Sequence, residues 1–157
     1  MKQTLLIFGC AALLLFAGGC VTTNGTLPTS SANFTPKGTY AISRDKLWQT
    51  ILDTLDKNHI AAVTADKSSG IIQTDYIAGP EVANIAFVES VHYKYNISLR
   101  DQSDGSVKVN IIGKLESTVN SGHGSSQWND VTPQNVEKVK NLENWLYEQI
   151  EDGLKGP

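Results

Sequence analysis

The sequence predicts an α+β domain: an antiparallel sheet of about five strands packed on two helices, in the order β-α-β-β-β-β-α. Three observations carry that expectation. Residues 91–100 and 107–116 each alternate apolar and polar side chains, and the turn between them contains Asp104-Gly105. Apolar residues recur at helical spacing before and after this ribbon, over 47–55 and 136–150. The chain has 157 residues, 40% hydrophobic and 18% charged, which suits one globular domain.

The elements follow in order. Thr39 to Ile42 reads as a short strand. Ser43 is a good N-cap, and Leu47, Trp48, Ile51, Leu52 and Leu55 then mark a helix over about 44–57, ending near Asn58. Ile60 to Thr64 is a second strand, residues 66–70 a turn and Ile71 to Ile77 a third strand, which Ala78-Gly79-Pro80 should break. In the ribbon, Val91, Tyr93, Tyr95, Ile97 and Leu99 share one face with Val107, Val109, Ile111, Gly113 and Leu115; Ile112 alone interrupts the polar face. Thr132 as cap and Pro133 at the first helical position open the last helix. Its stripe is Val136, Val139, Leu142, Leu146 and Ile150, with Trp145 on the flank and Gly153 at the end. Both helices should cover the same, apolar face of the sheet.

The first twenty residues are of another kind. One charge at Lys2 precedes a largely apolar run from Thr4 to Phe16, short of the roughly 20 residues that span a bilayer but suited to an export signal. Ala17-Gly18-Gly19 then leads to Cys20, and this segment resembles a bacterial lipoprotein signal, with Ala17 where that family prefers Leu. The resemblance implies cleavage after Gly19 and acylation of Cys20; Cys10 leaves too short an apolar run before it to compete. The expected organisation is therefore a signal peptide over 1–19, a lipidated tether over 20–36, one domain over 37–153 and a tail over 154–157. Val21 to Pro36 is rich in Thr, Ser, Asn, Gly and Pro without period, and sixteen such flexible residues have an end-to-end distance of about 20–24 Å. Val21 after the anchor favours the outer membrane, facing the periplasm.

Little in the chain points to catalysis. A net charge of −3 argues against a nucleic-acid partner. His59, His92 and His123 share no metal-ligand spacing, and with Cys10 cleaved away and Cys20 acylated no free thiol remains, so no metal or other cofactor is expected. Gly122 to Ser126 lacks the Gly-x-Ser-x-Gly order of a hydrolase elbow, so a hydrolase using Ser125 or His123 is the weakest reading. Asp53 with Asp56, and Glu148 with Glu151 and Asp152, read as solvated charge. No catalytic residue is assigned.

Trp48 on a helix, followed by Asp66-Lys67-Ser68-Ser69-Gly70-Ile71-Ile72-Gln73-Thr74-Asp75-Tyr76, resembles the repeat of BamC/NlpB-type outer-membrane lipoproteins. The similarity covers roughly 39–118 and 133–151. It implies a helix-grip fold and accessory work in outer-membrane β-barrel assembly.

Two function classes follow. The first is a lipid-anchored binding or scaffold module, attached to the membrane through Cys20 and docking a protein partner in the envelope. Its candidate contact residues are Trp128 and His123 in the loop 119–131 and Phe87 in the loop 79–88, although either loop can instead close over the core. The second is a carrier of a small hydrophobic ligand or lipid, in a pocket between sheet and last helix walled by Tyr93, Tyr95 and Trp145.

Overall fold

A computed structural model describes residues 22–24, 38–83, 87–120 and 127–156. The Ser43 hydroxyl accepts a hydrogen bond from Lys46 N at 3.3 Å, which satisfies one donor that a helix start leaves open. From that cap α1 runs Arg44–Lys57, as its spacing predicted. Leu47, Trp48, Ile51 and Leu55 are buried, and Leu52 lies at the margin of the core. Asn58 caps the end, and His59, at φ 57°, turns the chain back.

Among the described residues, eight strands form one antiparallel sheet: β1 Thr22–Asn24, β2 Thr39–Tyr40, β3 Ala62–Asp66, β4 Ile71–Thr74, β5 Ile77–Ala83, β6 Val88–Asp101, β7 Val107–Asn120 and β8 Asn129–Asp130. The spine is the β6–β7 ribbon, paired without a slip from Val88↔Asn120 to Asp101↔Val107. Its odd-numbered residues from Tyr93 to Leu99 are buried, while Ile112 on the other face is 54% exposed. The free side of β6 is shared by β5 at one end and the β4–β3 pair at the other. Both helices lie on the apolar face, as expected, and the core runs from Tyr40 through α1 and the ribbon to Ile150.

Four local expectations are corrected. Ala78-Gly79-Pro80 does not break the chain; it lies inside β5, where the register with β6 shifts between Ala78 and Glu81. A bulge is one of the few places in a sheet that tolerates a residue without N–H. The second strand begins two residues later than expected, because Ile60 N donates to Leu55 O and Ile60 is buried before pairing begins. Thr132 and Pro133 form a short 3-10 turn with Gln134, and α2 starts only at Val136, which is 50% exposed instead of in the stripe. Finally, α2 continues through Gly153 to Lys155. A Cβ at Gly153 would meet Thr50 Cγ2 at 3.1 Å and Thr54 Oγ1 at 3.2 Å, so glycine serves the close approach of α1 and α2.

Within the stretch expected to be a tether, Thr22–Asn24 pairs with Glu81–Ala83. The other residues expected there, residues 1–19 expected as a signal peptide, and Cys20 lie outside the described residues.

The outer edge of β7 would be an exposed row of polar groups between β2 and β8. Side chains close it. Tyr147 Oη accepts from Ile111 N at 3.1 Å and donates to Val109 O at 3.1 Å. Glu143 Oε1 accepts from Gly113 N at 2.9 Å, and Thr132 Oγ1 accepts from Leu115 N at 2.9 Å. Thus α2 buries an apolar stripe and also finishes the sheet.

Candidate functional site

The polar face of the sheet carries the most organised group of side chains outside the core. Cross-strand pairing sets His92 of β6 opposite Glu116 of β7, and His92 Nε2 hydrogen-bonds Glu116 Oε2 at 2.6 Å. Two further donors converge on Glu116 Oε1: Lys114 Nζ at 2.7 Å and Tyr76 Oη at 3.0 Å. With its side chain only 12% exposed, Glu116 keeps its charge because those three hydrogen bonds favour the ionised form. They hold its carboxyl at about 2, against an ordinary 4.5.

Rings stack above this carboxylate. Tyr76 lies on one side of the His92 imidazole, with centroids 3.9 Å apart, and Trp128 on the other at 3.6 Å and nearly parallel, 8° between planes. Lys94 Nζ sits 4.4 Å from the Tyr76 centroid, a cation–π contact on the outer side of the stack. Short-range structure supports each member. Tyr76 lies between β4 and β5, and Trp128 immediately precedes β8, whose Asn129 and Asp130 pair with Ser117 and Glu116. Asp130 lies 3.7 Å from Lys114, which ties β8 into the same charge network.

Beside the stack is an open cleft of about 320 Å³, lined by Tyr76, Gly79, Glu81, Ser90, His92 and Trp128 among others. Trp128 is 40% exposed and Tyr76 38%. Ser90 Oγ donates to Glu81 Oε1 at 3.2 Å on the cleft wall. The surface therefore offers a rigid aromatic plate next to a carboxylate. It is suited to an apolar or guanidinium-bearing side chain of another protein.

The residues expected at the site are distributed differently. Trp128 joins the stack. Phe87 is 37% exposed but precedes β6, about five residues or roughly 16 Å along the strand from His92. His123 lies outside the described residues. Tyr93 and Tyr95 are 4% and 0% exposed and meet edge-on at 5.7 Å, and Tyr95 Oη donates to Leu142 O at 3.2 Å. Burial pushes the Tyr93 hydroxyl up to about 12. Trp145 packs partly buried against the same core, and none of the described clefts is lined by any of these three residues. Sheet and α2 are in contact where a carrier would need space.

Sequence reasoning missed Tyr76, Glu116 and Lys114. Alternation puts Lys114 and Glu116 on the polar face with His92, but which residues stand opposite depends on the register, Asp101 opposite Val107, that the structure supplies. Among the described residues no cluster of His, Cys, Asp and Glu could hold a metal ion, and no helix is long and apolar enough to cross a membrane.

A family model described as the outer membrane protein assembly factor BamC-like N-terminal domain matches residues 39–132, from β2 to the 3-10 turn before α2. No curated protein matches the chain.

Proposed function

The chain belongs to the family of outer membrane protein assembly factor BamC-like N-terminal domains, and from that premise we propose that it is a non-catalytic docking module for outer-membrane assembly, held at the periplasmic face of that membrane by a lipid on Cys20. The observation that carries the docking role is the Tyr76–His92–Trp128 stack. Three rings are stacked beside a half-buried carboxylate within the matched segment, and Trp128 is 40% exposed. Aromatic residues held rigid before binding give large contact area at low entropic cost, which is the character of interface hot spots. The partner is an outer-membrane assembly protein that presents an apolar or arginine side chain to this plate.

Site-specific photo-crosslinking from Gly79, in the cleft wall, tests the reading in intact cells. An adduct with an outer-membrane assembly protein is expected, and Trp128→Ala should weaken capture about tenfold or more, in the range of a hot-spot residue, while the melting temperature stays near wild type. Equal capture by Trp128→Ala would remove the stack from the interface.

A further inference from the structure

The register of β1 constrains where a lipid on Cys20 can lie. Thr22 pairs with Ala83, Ala83 with Val88 and Val88 with Asn120, so these four residues form one row across the sheet at the end of the ribbon. A residue two positions before Thr22 lies within about 7 Å of it. Val88 is two strand spacings from Thr22, about 10 Å.

That end of the sheet exposes apolar side chains. Phe87 is 37% exposed, Val88 36% and Val119 52%, and Val119 stands one residue from the row, opposite Glu89. Segments 81–91 and 117–120 contain no Lys or Arg, whereas Glu81 and Glu89 are both present. Attraction to anionic headgroups is therefore not what this end offers; short apolar side chains entering a zwitterionic headgroup layer are.

We infer that the ribbon end bearing Phe87, Val88 and Val119 rests on the phospholipid surface beside the lipid anchor, so that the domain is seated on the membrane instead of floating on a free tether. The inference rests on the reading of Cys20 as the lipidated residue. It deepens the proposed function, because His92 and Glu116 lie about four residues from this end, roughly 13 Å along the strands. A partner reaching the aromatic plate must then be one whose periplasmic surface lies close to the bilayer.

The test uses the lipidated full-length protein in vesicles of phosphatidylethanolamine with a minor share of phosphatidylglycerol. Spin labels are attached at Val88→Cys and Val119→Cys, and at Val63→Cys on β3, the opposite edge of the sheet, where Val63 is 61% exposed. Labels at 88 and 119 should lose collisions with a water-soluble relaxant severalfold and gain them with oxygen, while the label at 63 stays accessible to water. Equal accessibility of all three labels on acylated protein, or shielding at 63 alone, would overturn the seating. Intact-mass analysis of the same preparations separates this from failure of the anchor: an unmodified Cys20 would refute the lipid reading and the seating with it.

Discussion

Glu116 holds three side chains at once, from Tyr76, His92 and Lys114, and its carboxyl is the pivot of the polar face. Because its folded pKa lies below the unfolded one, its ionisation stabilises the fold above about 4.5, and that contribution is lost as the pH falls through about 2. Asp66 behaves in the same sense: its carboxyl is lowered to about 2 by hydrogen bonds from Ser68 and Ser69. The two contributions are separable by substitution. The melting-temperature difference between wild type and Glu116→Gln should be largest and constant above pH 4.5 and shrink as the pH approaches 2, where the wild-type carboxyl becomes about half protonated. A difference that does not change with pH would show that Glu116 acts through shape alone. His92 on the wet face was legible from alternation. Tyr76 was not, because its place in the stack depends on a strand that joins the ribbon from elsewhere in the chain.

At the scale of elements, α1 and the ribbon follow their sequence periodicity closely, and β5 and α2 do not. Each departure has a contact behind it. Pro80 enters a strand because β6 accepts a bulge there, and Gly153 stays helical because α1 packs against it. The helix contact predicts an ordered series. Gly153→Ala should stay within about 1 kcal/mol of wild type, since the roughly 1 kcal/mol gain in helix propensity offsets a slight displacement of Thr50. Gly153→Leu should cost about 1–3 kcal/mol by overpacking, read as a lower denaturation midpoint with an unchanged slope. If Leu proved as stable as Gly, the α1–α2 approach would be looser than the contacts at Thr50 and Thr54 imply.

For the whole molecule, α2 serves the core and the sheet edge at once. It supplies Leu142, Leu146 and Ile150 to the core, and its Tyr147 and Glu143 satisfy backbone groups along the open edge of β7. The family match ends at residue 132, before this helix begins. A chain ending at residue 135 should therefore fail to give a cooperative thermal transition and should aggregate through the exposed edge, as light scattering would record. A cooperative, monomeric truncation would show that the sheet closes without α2. The sequence by itself determined the class of fold, the first helix and the ribbon with its buried face, because burial of one face writes a period of 2 or 3.6 into neighbouring residues. Tertiary structure alone decided that Tyr93 and Tyr95 fill the core, that Tyr76 and Glu116 complete the aromatic plate and that Tyr147 closes an edge. Those outcomes depend on which distant segments share a surface, and local periodicity carries no record of the partner.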